Sequence, residues 1–107
     1  MINNLLSSLE LCPNYPLDFP FSPSEKYPEY PFKDYSESTN CVYKAIRNHF
    51  RNLGLDAKNF GYANWNPLGE FCLIGNRIVI KPNWVMHEHP LNKNIWSVIT
   101  HPSIIRV

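Results

Sequence analysis

No Cys-x-x-Cys pair occurs in this chain; its three cysteines, Cys12, Cys41 and Cys72, are odd in number and far apart. That spacing supplies no disulfide frame, no paired zinc ligands and no iron–sulfur set, and it predicts reduced thiols in a cytoplasmic protein. No apolar run reaches the length needed to span a bilayer. Charge of one sign is missing too: the formal net charge is +1, with acids and bases well mixed, which excludes the basic footprint of a nucleic-acid binder. The first residues lack a basic stretch, and Glu10 interrupts their apolar part, so a secretory leader is not expected. No Gly-x-Ser-x-Gly occurs, and no cysteine sits in a context that lowers its pKa, which leaves nucleophilic catalysis without a candidate.

What is present is a globular composition, 44% hydrophobic and 14% aromatic over 107 residues, enough for one domain with a single core. Residues 1–38 form an arm in which Pro13, Pro16, Pro20, Pro23, Pro28 and Pro31 alternate with Tyr15, Phe19, Phe21, Tyr27, Tyr30 and Phe32. Prolines at that density forbid a long helix or a central strand, so the arm is extended and broken by one turn. Ser22-Pro23-Ser24-Glu25 suits that turn as a capping box. Three Pro-x-x-Pro spacings could serve proline-recognition modules, but six large aromatics favour an arm packed on the domain. Near its start, Leu5, Leu6, Leu9 and Leu11 suit a short helical turn.

The firmest helix runs from about Thr39 to Leu53. Ser36-Glu37-Ser38-Thr39-Asn40 is helix-start chemistry, and Val42, Ile46, Phe50 and Leu53 recur at helical spacing. Gly54 stands where a C′ glycine belongs, with Leu55 placed for the accompanying apolar contact. Lys44, Arg47 and Arg51 line another face; a phosphate-binding stripe is conceivable, a solvated face commoner. Asp56 can cap a turn before Gly61, and Asn64–Gly69 is a loop by composition.

Gly75-Asn76 opens the run Arg77-Ile78-Val79-Ile80-Lys81, ended by Pro82. Three consecutive β-branched residues suit a strand buried on both faces, and Pro82 cannot extend a ladder. Residues 77–81 are therefore expected to form the central strand of an α/β domain, with the 40–53 helix packed on it. A loop over 84–99 follows, and Thr100-His101-Pro102-Ser103 then starts a helix with Pro102 in its first position. A strand, a long loop and a helix of one turn make an incomplete βα unit, so residues 39–107 read as the N-terminal part of an α/β domain cut short at its C-terminus.

The run from Gly75 to Val85, with Ile-Lys-Pro-Asn at its centre, followed by Thr100-His101-Pro102, resembles the N-terminal signature of domain-of-unknown-function family 362 (DUF362). Trp65-Asn66-Pro67-Leu68-Gly69 and the Pro/Tyr-rich arm are similar to the branch of that family found in bacterial surface-polysaccharide gene clusters. The resemblance covers roughly residues 13–107. It implies a longer α/β protein whose reaction is not established, with acidic motifs that lie beyond this chain. Some members carry ferredoxin-type cysteine motifs, but none of the three cysteines here has that spacing.

Open α/β sheets bind ligands at the carboxyl ends of their strands. Lys81 and Asn83 are expected there, sharing an edge with the helix start at Thr100 and His101. A point charge, an amide and free N–H groups would suit a phosphate or carboxylate. The alternative gives Lys81 to solvent, Asn83 to a turn and Thr100 or His101 to capping. A further reading joins His87 and His89, alternate residues on an extended segment, with His101 as metal ligands. Another makes the chain a non-catalytic piece whose partner is the missing C-terminal part of the domain or a second copy. No reaction or cofactor follows from the residues.

Overall fold

The computed structural model describes residues 11–107. The expected leucine-rich turn at Leu5, Leu6 and Leu9 lies outside the described residues. Among the described residues two α-helices, α1 (Cys41–Asn52) and α2 (Pro102–Arg106), pack against one another, and 3-10 turns lie at Ala57–Asn59 and Ile95–Ser97.

Local signals set both ends of α1. Asn40 is the N-cap: its Oδ1 accepts from Tyr43 N at 3.2 Å, and its Nδ2 donates to the carbonyls of Phe21 and Ser22 at 2.9 and 3.0 Å. The same buried amide therefore starts the helix and fastens the arm to it, a cap worth about 1 kcal/mol before the tertiary bonds are added. At the other end Gly54 takes φ +74°. Gly54 N donates to Arg51 O at 2.9 Å and Leu55 N to Phe50 O at 3.2 Å, the paired bonds of a Schellman close.

The inward face of α1 carries Val42 and Tyr43, both buried, with Ile46, Arg47 and Phe50 half-buried behind them. Tyr43 meets the arm through Tyr27, stacked at 5.2 Å, and Tyr30, edge-on at 5.9 Å. Tyr15, Phe21 and Tyr27 of the arm are half-buried and Tyr30 is buried, while Phe19 and Phe32 face solvent. The arm thus covers α1 instead of projecting from it. Trp65 completes this small aromatic core, its indole N–H donating to Leu55 O at 2.9 Å.

The α/β expectation is overturned. Among the described residues there is no strand, and residues 77–81 carry no bend, turn or ladder. Ile78, Val79 and Ile80 are 59, 91 and 68% exposed. A strand buried on both faces needs neighbours and two covering layers. The arm is interrupted by prolines that cannot donate to a ladder, and it lies on α1. The 40–53 helix accordingly packs on the arm and α2, not on a central strand, and no βα unit forms within the described residues.

Two smaller expectations also change. The Ser22 hydroxyl does not cap a turn but donates to Asp34 Oδ2 at 2.7 Å. Cys12 and Cys41 are not free thiols: they form a disulfide across 29 positions, with Cα atoms 5.3 Å apart, leaving Cys72 free. Cys41 opens α1, so the bridge pins the beginning of the arm to the helix start. Among the described residues no helix is long and apolar enough to cross a membrane.

Candidate functional site

Of the four residues expected at a strand end, Asn83 and Thr100 come together. Asn83 and Thr100 clip each other: Thr100 N donates to Asn83 O at 2.9 Å, and Asn83 N to Thr100 Oγ1 at 3.0 Å. Asn83 Nδ2 donates to Val98 O at 3.2 Å, and the Trp84 indole to Thr100 O at 2.7 Å. His101 follows directly but turns inward. Its ring stacks on Tyr15 at 4.3 Å and meets Trp96 edge-on at 4.4 Å and Phe21 at 5.2 Å. Lys81 stays exposed, without a hydrogen bond or ion pair among the described residues.

The donors expected at the start of α2 are already in use. Pro102 has no N–H, Ser103 N donates to His101 Nδ1 at 3.1 Å, and Ile104 N donates to His101 O at 3.0 Å. A helix of five residues also carries little dipole. His101 is thus the N-cap of α2, and the charge available at this junction is that of Lys81. His87 is exposed, 3.7 Å from Glu88, and His89 Nδ1 accepts from Leu91 N at 3.0 Å. Among the described residues no three His, Cys, Asp or Glu side chains gather as metal ligands would.

Burial holds the His101 imidazole below its ordinary 6.5, since its aromatic box solvates a cation poorly. A depressed basic pKa stabilises the fold above the unfolded value, and that contribution is lost as pH falls through the folded value. The urea midpoint should therefore drop between about pH 7 and 5. In His101→Asn, which keeps a capping side chain without titrating there, that slope should flatten. An unchanged slope would assign the acid sensitivity to other groups.

A second site lies where the arm, α1 and α2 meet. Arg47, on the inward face of α1, pairs through Nε and Nη2 with both oxygens of Glu29, and both side chains are largely buried. Its guanidinium lies 4.6 Å from the ring centres of Tyr27 and Phe60 and 5.4 Å from that of Trp65. From α2, Arg106 Nη2 donates to the Tyr30 hydroxyl at 2.6 Å, and that hydroxyl donates to Asp34 Oδ1 at 2.8 Å. Between the two guanidiniums opens a cleft of about 230 Å³ lined by Tyr30, Phe32, Tyr43, Phe50 and Trp65.

The electrostatics of this cleft follow from its neighbours. Hydrogen bonds from Ser22 and Tyr30 hold the Asp34 carboxyl below the usual range. Burial, then the bond to Asp34, pushes the Tyr30 phenol up. Burial, then Glu29, does the same to Tyr43, and Tyr27 rises to about 12, chiefly through burial. The tyrosines stay neutral and Asp34 charged, so Arg47 has a matched partner in Glu29. Arg106 has one neutral hydrogen bond and a carboxylate 3.7 Å away. Its other N–H groups have no partner among the described residues.

Sequence reasoning missed both arginines. Arg47 was grouped with Lys44 and Arg51 as a solvated stripe, although it lies four residues after Tyr43 and three before Phe50, on their face of the helix. That spacing was the available signal. Nothing local marks Arg106. Comparison with protein-family models, with curated proteins and with solved structures finds no match to this chain.

Proposed function

We propose that this chain is a binding module, not an enzyme in its own right, and that the cleft between α1 and α2 takes a small ring-shaped ligand bearing a carboxylate. One observation carries the reading: a guanidinium with unspent donors at the rim of an aromatic-walled cleft. Aromatic faces accept the flat body of a ring, and a planar fork of N–H groups matches a carboxylate better than a point charge does. A volume of about 230 Å³ suits a single ring and not a nucleotide. The resemblance to the polysaccharide-cluster branch of DUF362 makes a sugar acid the natural candidate, with the chain as the N-terminal piece of such a protein. The disulfide favours an oxidising compartment over the cytoplasm.

A second reading keeps the anion or polar-ligand site at Lys81, Asn83, Thr100 and His101. It is favoured by the Asn83–Thr100 clip, which holds the end of the extended segment against α2 two residues from an uncommitted ammonium. Titration calorimetry with glucuronate and benzoate separates the two. Arg106→Met should weaken binding about tenfold to a hundredfold, the loss of a charge-assisted hydrogen bond, while Lys81→Met leaves it unchanged. The reverse pattern would move the site to the junction, and binding indifferent to both changes would remove both readings.

A further inference from the structure

The exposed run 77–81 is held open at both ends. Upstream, Leu73–Asn76 forms a turn: Asn76 N donates to Leu73 O at 3.0 Å, Leu73 N donates to Asn76 Oδ1 at 2.9 Å, and Gly75 takes φ +89°. Downstream stands the two-bond Asn83–Thr100 clip. Between these anchors the backbone runs without a bend or turn, and no N–H or C=O of residues 77–81 is bonded to another described residue. Val79 is 91% exposed and Ile80 68%. An anchored segment with bare ladder groups and β-branched side chains is preorganised to receive a strand, because little order remains to be imposed on binding.

We propose that residues 77–81 dock the edge strand of a partner protein by β-augmentation, and that this partner strand carries acidic residues four apart around an apolar centre. The pairing is between molecules; it creates no sheet within this chain. Side chains alternate, so Arg77, Val79 and Lys81 share one face and Ile78 and Ile80 the other. The charges choose the partner. In an antiparallel pair of identical copies centred on Val79, Arg77 faces Lys81 twice; in a parallel in-register pair, each base faces its twin. Like charges directly opposed disfavour both arrangements. A partner strand of the pattern Glu-Ile-Val-Ile-Glu instead sets a carboxylate against each base and covers Ile78 and Ile80 with apolar side chains. Pro82, which has no N–H, limits the register at the far end.

The probe is a soluble peptide, Ser-Thr-Glu-Ile-Val-Ile-Glu-Thr-Ser, added to the whole oxidised chain. Amide hydrogen exchange at 78–80 should slow on saturation, the signature of backbone pairing and not of charge attraction alone. Charge reversal in Arg77→Glu/Lys81→Glu should weaken binding about tenfold and transfer preference to a lysine-flanked peptide of the same centre. Both positions are exposed, and circular dichroism reports whether the helices persist. Val79→Asp, which sets a carboxylate in the apolar centre of the run, should abolish the exchange protection, whereas Val79→Thr, which keeps β-branching, should still bind. No exchange protection, affinity indifferent to charge reversal, or self-association of the chain that the peptide fails to compete with would each overturn the proposal.

Discussion

Arg47→Met should destabilise the chain by about 3–5 kcal/mol, a loss large against the ~5–15 kcal/mol that holds a domain of this size together. Glu29 would be left largely buried without its countercharge, and removing one member of a buried ion pair costs more than the pair ever contributed. The guanidinium also lies 4.6 Å from the rings of both Tyr27 and Phe60, contacts that vanish with it. Urea unfolding followed by tryptophan fluorescence gives the midpoint shift. Two comparisons isolate the cause. In Glu29→Gln/Arg47→Met much of the loss should return, because no buried charge is stranded. Lys44→Met, which breaks a pair about half exposed on both sides, should cost no more than ~1 kcal/mol. Equal losses in Arg47→Met and Lys44→Met would return Arg47 to the solvated stripe.

Reducing the Cys12–Cys41 bond should cost about 3–4 kcal/mol. The bridge closes a loop spanning 29 positions, and the chain entropy released to the unfolded state on opening it sets that size. The loop holds the proline- and aromatic-rich part of the arm, including Tyr15, Tyr27 and Tyr30, so the unfolded chain regains freedom in the segment that covers α1. Comparison of urea midpoints with and without a phosphine reductant measures the effect. Cys12→Ser/Cys41→Ser should reproduce it, and Cys72→Ser should be neutral. Alkylation of the native oxidised protein should label Cys72 alone. Labelling of Cys12 or Cys41 under those conditions, or coincident midpoints, would show that the arm is held by packing only.

Features whose determinants lie within a turn or two were legible. Helix α1 follows from Asn40, the apolar spacing 42–46–50 and Gly54, because each of its ends is closed by bonds among near neighbours. Residue type alone does not choose between Thr100 and His101 as the cap of α2; the His101 ring settles it by accepting from Ser103 N. The Gly75 turn formed as its residues require. The run after it forms no strand, because β-branching describes a chain ready for a sheet and supplies no partner to pair with.

Much of the candidate site was illegible for the same reason. Arg106 and Tyr30 are 76 positions apart and Arg47 and Glu29 are 18, and no periodicity connects them. The arm's route over α1 brings them together. That route also places Cys12 beside Cys41, which spacing alone had assigned to free thiols. By itself, then, the sequence determined both ends of α1 and the turn at Gly75. Tertiary structure decided which charged groups are buried, which cysteines bond and that the β-branched run stays unpaired. The reason is physical: caps and turns are closed by bonds between residues already adjacent, whereas burial, bridging and pairing depend on partners that only the folded path supplies.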